Sequence, residues 1–208
     1  MKPGPLHGRP LASVTRVTSQ HRIGPWFAAT FVIFFARAFL YSTWVARGPE
    51  VMSELGIDKG QMGLLTMLYP LGGLIGVGFS RAVVHRFGSK VVTLVIYLAS
   101  AASLAALGPA IAAGSVAVVG ILLITMGLPM AIADYLGNHE GSLADKASSR
   151  SIFSAIHGAF GLGMLLGAWL SGLAIDSGLS LSAHYLAIAV TVGLAAAAAA
   201  AALPRHPR

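Results

Sequence analysis

The chain has 208 residues, of which 56% are hydrophobic and only 10% charged, and its mean hydropathy is +0.77. Soluble domains carry about 25% charged residues, so this composition excludes an ordinary soluble fold and indicates a membrane protein. The net charge of +7 comes from fourteen Lys and Arg spread thinly without interleaved aromatics, which excludes nucleic acid as an expected partner. With no cysteine, disulfides and thiolate metal sites are excluded as well.

Residues 1–25 are polar and basic, with no apolar core ahead of Pro25, so they read as a cytoplasmic tail rather than a signal peptide. A bilayer crossing takes about 20 mostly apolar residues. Six such stretches follow, at 26–46, 60–82, 89–107, 113–135, 152–175 and 182–203, joined by short polar loops and followed by a basic cytoplasmic tail at 204–208. Their length and uniform apolarity, without period-2 alternation, predict an all-α membrane protein of six transmembrane helices and not a barrel. Counted by alternate sides, Lys2, Arg9, Arg16, Arg22, Arg81, Arg86, Lys90, Lys146, Arg150, Arg205 and Arg208 share one face, against Arg47 and Lys59 on the other. The positive-inside rule then places both termini in the cytoplasm.

In the first span, Arg37 is costly: an Arg at mid-bilayer is worth about 2.5–3.5 kcal/mol on insertion scales, so it should face a cavity or a partner. On a helix Thr30, Arg37, Tyr41 and Trp44 fall near one face, at intervals of seven, four and three. Arg37, Tyr41 and Trp44 are therefore candidate contacts for an anionic or hydroxyl-rich solute. The alternative is an Arg neutralised structurally by carbonyls or a carboxylate. The second span carries Gly72, Gly76 and Ser80, and the fifth carries Ala159, Gly163, Gly167 and Ser171, at strict intervals of four. Small residues so spaced let helix backbones approach closely in lipid. Gly72, Gly76, Gly163 and Gly167 are expected at a dimer interface, or else between helices of one six-span unit.

Between spans two and three lies the basic run FSRAVVHRFGSKVV, read as a cytoplasmic loop. Asp134 and Asn138, spaced i, i+4, project from one side of the fourth span near its expected cytoplasmic end, and Asn138 reads as a helix-terminus residue. That depth separates Asp134 from Arg37, so no direct salt bridge between them is expected. Asp134 could take up a proton, pair with a cation or serve gating and structural hydrogen bonds. His157 opens the fifth span and could titrate near neutrality, or act as a hydrogen-bonded structural residue. The eight consecutive alanines before Leu203 read as part of a peripheral span without chemistry. No His, Asp and Glu set has metal spacing, and no nucleophile is paired with a base and an orienter. No catalytic residue, metal or cofactor is expected, and enzyme activity is not.

Several motifs resemble one family. HRFGSK is similar to the loop motif of the major facilitator superfamily, Gly-x-x-x-Asp-Arg-x-Gly-Arg/Lys-Arg/Lys between spans two and three. Arg86, Gly88 and Lys90 match it, whereas Arg81 replaces the first Gly, His85 the Asp and Ser89 a basic residue. STWVARGP at 42–49, the D-x-x-x-N of Asp134 and Asn138, and IHGAFGLG at 156–163 resemble a bacterial branch related to sugar permeases. The interval from Asn138 to His157 agrees with that branch, Arg150 falls on its basic position, and Asp145 stands where Glu is usual. The resemblance covers about residues 26–176.

It implies the N-terminal six-helix half of a fold that normally has twelve spans, in a bacterial inner membrane, with the two halves related by an axis along the membrane normal. Spans two and five would meet the other half, one and four would line the cavity, and three and six would face lipid. The expected protein is a half-sized secondary transporter moving a small polar solute by alternating access, as a homodimer or with a second six-span half. In that scheme Asp134, Asn138 and His157 couple or gate, and Arg86, Gly88 and Lys90 form a cytoplasmic latch. The alternatives are a non-transporting membrane scaffold or regulatory subunit, or one half of a split heterodimeric transporter. Span four lacks the Arg-bearing motif of proton-coupled members and span five the Gly-Pro signature of drug antiporters, which disfavours drug efflux.

Overall fold

A computed structural model describes residues 23–148 and 151–205; residues 1–22, Arg150 and Arg208 lie outside the described set. Among the described residues there are eight α-helices and no strand: α1 (Ile23–Ala46), α2 (Gly48–Leu55), α3 (Lys59–Val77), α4 (Ser80–Phe87), α5 (Ser89–Ala112), α6 (Val116–Ala147), α7 (Phe153–Asp176) and α8 (Leu181–Ala202). All but α2 and α4 are long and apolar enough to cross a membrane. The fold is therefore an all-α membrane protein of six spans.

The breaks between helices follow local chemistry. Pro49 stands in the first turn of α2, where its missing N–H costs nothing, and α2 stops at Gly56, whose φ of +64° favours glycine. A capping box then starts α3: Asp58 Oδ1 accepts from the Gln61 N–H at 2.8 Å, and the Asp58 N–H donates to Gln61 Oε1 at 2.9 Å. Much of the basic run read as a loop forms the two-turn helix α4, which ends at Gly88 with φ +79°.

The largest departure from the sequence reading is the fourth span. Expected to end at residue 135, α6 continues to Ala147, so its 32 residues extend about 48 Å at 1.5 Å each. The polar stretch after Tyr135 stays helical because Leu136, Gly137, Glu140, Gly141 and Ala144 recur at helical spacing and are buried.

Helix α1 packs on α7 and α8, α6 packs on α3 and α5, and α5 packs on α8, while α1 and α6 touch across the middle. Helices α3 and α7 are the open edges: 17% and 28% of their apolar stretches are buried, against 50% for α1 and α6. Close approach rests on glycine. A Cβ on Gly72 would sit 2.2 Å from Ile124 O, on Gly76 2.3 Å from Leu128 O and on Gly127 1.9 Å from Tyr69 O, so α3 and α6 interlock backbone to backbone. Likewise Gly163 and Gly167 in α7 would meet Phe35 O at 2.4 Å and Phe39 O at 2.9 Å in α1. Gly72, Gly76, Gly163 and Gly167 therefore pack helices within the chain, the second of the two roles expected of them. The faces of α3 and α7 that remain exposed carry Leu64, Met67, Leu71 and Leu74, and Leu162, Leu165 and Trp169.

Candidate functional site

Between the open edges lies a groove of about 360 Å³ walled by α1, α3, α6 and α7. Arg37 and Tyr41 line it from α1, Tyr69, Pro70, Gly73 and Val77 from α3, Met130, Ala131 and Asp134 from α6, and Phe160 from α7. Its polar content is concentrated in one contact. Arg37 Nη1 donates to Asp134 Oδ1 in a salt bridge whose side chains are 21% and 49% exposed.

This pair corrects the expectation that the two residues lie at different depths. Arg37 stands about 21 Å along α1 from Ile23, and Asp134 about 20 Å back from Ala147, at 1.5 Å per residue. Because α1 and α6 run in opposite directions through the bundle, those two distances bring the residues level. The twelve helical residues of α6 beyond Tyr135 are what place Asp134 at that level.

The guanidinium is also held by aromatic faces, lying 4.7 Å from the Phe160 ring centroid and 5.7 Å from that of Phe34. Arg37 Nε makes no hydrogen bond. Beside the pair, the Tyr41 and Tyr69 rings approach to 4.8 Å between centroids. The groove thus offers a fixed cation, a carboxylate open to exchange, and two phenols in an otherwise apolar wall, which is the composition of a small-molecule site.

Comparison with known proteins bears on what such a groove is for. The chain is 29% identical over 160 residues to an uncharacterized transporter of Sinorhizobium fredii, which covers 77% of the chain and 42% of that relative. It is 26% identical over 140 residues to an uncharacterized MFS-type transporter of Yersinia pestis, covering 67% of the chain and 36% of the relative. The resemblance to the major facilitator superfamily holds. The membrane protein MosC of Rhizobium meliloti is 22% identical over 159 residues, 76% of the chain and 37% of its own length. No family model matches the chain. The chain thus spans 36–42% of the length of these curated relatives. Six spans and these relatives make it a multi-pass membrane protein, and the bacterial relatives fit an inner membrane.

The other residues singled out in this major-facilitator-like chain do not converge on the groove. Trp44, expected beside Arg37 and Tyr41, is fully buried in the main core with no partner for its indole N–H. It shares the Arg37 face, but about 10.5 Å further along α1, where the helix is enclosed. Thr30 is buried too, its hydroxyl donating to Trp26 O at 2.9 Å. Asn138 is not at a helix terminus: it lies inside α6, and its Nδ2 donates to Asp134 O at 2.8 Å. His157 is exposed on α7, its ring 4.3 Å from Phe153 and 4.8 Å from Phe34, with Nδ1 3.1 Å from Phe153 O. Through Phe34 it touches the same aromatic that faces Arg37, but it does not line the groove.

At the end of the bundle carrying α4, Lys90 Nζ donates to Ala201 O in the last turn of α8 at 2.9 Å, so this cation does reach a neighbouring helix end. Arg86 is exposed, with its guanidinium 5.7 Å from the Phe87 ring.

One polar centre escaped the sequence reading. Glu140 in α6 is fully buried; it accepts from Trp26 Nε1 at 2.8 Å and from the Ser89 hydroxyl at the start of α5. It ties α1, α5 and α6 together at one end of the bundle. The signal lies in helical periodicity running through Glu140 without a proline, masked by the polar NHEG stretch that reads as loop. At the same end Asp145 Oδ1 accepts from the backbone N–H of Ile152 at 2.6 Å and of Phe153 at 3.0 Å, capping α7 from α6.

Proposed function

We propose that the chain forms a six-span transport unit which moves a small polar solute through the groove between α3 and α7 by alternating access, together with a second six-span unit. The observation that carries this reading is the Arg37–Asp134 pair, at mid-helix in two neighbouring spans and half open to the groove. An ion pair at that depth is costly to maintain, and intramembrane ionisable residues mark solute or proton paths. Arg37 supplies donors for a carboxylate, phosphate or hydroxyl group, Tyr41 and Tyr69 supply hydroxyls and ring faces, and Asp134 releases Arg37 when a solute competes for it. The printed names of the relatives from Sinorhizobium fredii and Yersinia pestis support transport as the activity.

A second copy of the chain is the proposed partner. The exposed apolar faces of α3 and α7 flank the groove on both sides, and a two-fold axis along the membrane normal would set each face against its equivalent and close the groove into a shared cavity. With both termini cytoplasmic, the two copies lie parallel. In this scheme Asn138 and His157 act on the pair indirectly, through the Asp134 carbonyl and the Phe34 ring, and Arg86, Gly88 and Lys90 hold the cytoplasmic end.

The test is uptake by liposomes containing the purified chain, screened with radiolabelled small organic anions and sugars. Solute-specific flux that falls at least about tenfold in Arg37→Ala and in Tyr69→Phe supports the reading. Binding without flux in folded protein would favour a non-transporting subunit.

A further inference from the structure

A second cavity, of about 590 Å³, opens at the end of the bundle that carries α4. Its basic side chains come from four separate segments: His85 from α4, Lys90 from the first turn of α5, His139 from α6 and Arg205 from the chain just past α8. Lys90 spends one of its three ammonium donors on Ala201 O, which leaves two, and His85 Nε2 lies 3.5 Å from the Tyr135 hydroxyl. The lining contains no acidic residue. Glu140, which accepts from the lining residue Ser89, is fully buried and also engaged by Trp26.

The location identifies the kind of anion. Helix α5 begins and α8 ends at this level, so the cavity lies where two spans leave the hydrocarbon and enter the headgroup layer. Val91 lines the cavity and also starts an exposed apolar column on α5, continued by Leu94, Val95 and Leu98 at intervals of three, four and seven from it. Phe87, 50% exposed, stands at the rim. Basic pockets beside an apolar helix face at the membrane surface suit a lipid whose phosphate enters the pocket and whose acyl chains follow the helix.

We propose that the cavity formed by His85, Lys90, His139 and Arg205 binds the phosphate headgroup of an anionic phospholipid, with an acyl chain laid along Val91, Leu94, Val95 and Leu98. The site lies outside the Arg37–Asp134 groove, at the helix ends, and its occupancy does not depend on what the groove carries. Bound there, the lipid bridges α4, α5, α6 and the segment after α8 through these four basic side chains.

The experiment is a titration of the purified full chain in mild detergent, read by native mass spectrometry as lipid retained. Dioleoyl phosphatidylglycerol is compared with dioleoyl phosphatidylcholine, and glycerol 3-phosphate serves as the free phosphate ester. One cation near the membrane surface is worth about fivefold in binding, so Lys90→Gln with Arg205→Gln should weaken phosphatidylglycerol binding roughly thirtyfold. Lys59→Gln, at the opposite end of α3, should leave it unchanged. Arg205→Gln alone lies outside every helix and should still weaken binding about fivefold if the double variant does not fold. Equal retention of the two lipids, or no loss in folded variants, overturns the proposal. So does glycerol 3-phosphate binding as tightly as the lipid, which would make this a site for a free phosphate ester.

Discussion

Removing the charge from both members of the Arg37–Asp134 pair should cost about as much as removing it from one. In a medium of effective dielectric about 20, unit charges about 4 Å apart attract by roughly 4 kcal/mol, while fully exposed pairs contribute about 1 kcal/mol or less. With side chains 21% and 49% exposed, the pair falls between these limits, and a coupling of about 2 kcal/mol is expected. The aromatic contacts of Phe160 and Phe34 remain when Asp134 changes, and each supplies about 0.5–1 kcal/mol that softens the loss. Asp134→Asn and Arg37→Gln should then each destabilise by about 2–3 kcal/mol, and the double variant by about as much as either alone. The assay is reversible unfolding of all four proteins in mixed micelles, with the coupling read as the departure from additivity. A coupling below about 0.3 kcal/mol would refute the reasoning, since it would mean that water in the groove solvates both charges as bulk solvent does.

Four further outcomes follow from the packing. Gly127→Ala places a methyl 1.9 Å from Tyr69 O and should lower stability by about 1–3 kcal/mol, whereas Gly63→Ala meets nothing within 4 Å and should be neutral or better in the same unfolding assay. Glu140→Leu strands the Trp26 indole and the Ser89 hydroxyl at a cost of about 1–3 kcal/mol and should shift Trp26 emission in a chain with Trp44→Phe and Trp169→Phe; Glu140→Gln should do much less. Asp145→Ala should speed hydrogen exchange at the Ile152 and Phe153 amides, and Asp145→Asn should largely preserve protection, because an amide oxygen still accepts. The chain has no cysteine, so single introduced thiols can be crosslinked directly: Leu165→Cys and Leu74→Cys should join two copies in the membrane and Gly163→Cys should not, being turned toward Phe35 O within the chain.

The six spans were legible because lipid allows little choice: about 20 apolar residues with few charges specify a helix whatever surrounds it. What was not legible was where a polar sequence stops being loop. Asn138, His139 and Glu140 read as the end of a span, yet Glu140 is fully buried, where Trp26 and Ser89, distant in sequence, hydrogen-bond it. The same misjudged end hid the Arg37–Asp134 contact, since a boundary error of twelve residues displaces a side chain by about 18 Å in expected depth. Residues of the groove that the sequence did not single out, Tyr69 and Phe160, sit on α3 and α7, where the regular spacing of glycines is the stronger signal. Of the two neighbours those glycines allowed, the structure shows the one within the chain: small-residue spacing shows that a helix is approached closely, but not by which helix.

The continuity of α6 also has a mechanical side. Pro129 lacks the N–H that would bond one turn back, so the helix is weakest there, and the arm from Pro129 to Ala147 is about 27 Å long with no further proline. A rod of that length, bent by about 5° at its weak point, moves its tip by about 2 Å. Asp134 sits a little over one turn beyond the bend and Asp145 near the tip, so a small displacement of the carboxylate facing Arg37 is amplified severalfold where Asp145 grips the amides of α7. Bonds of 2.6 and 3.0 Å do not survive a 2 Å excursion. Were α6 to bend at Pro129, it would act as a lever whose short end lies at the groove and whose long end holds the first turn of its neighbour.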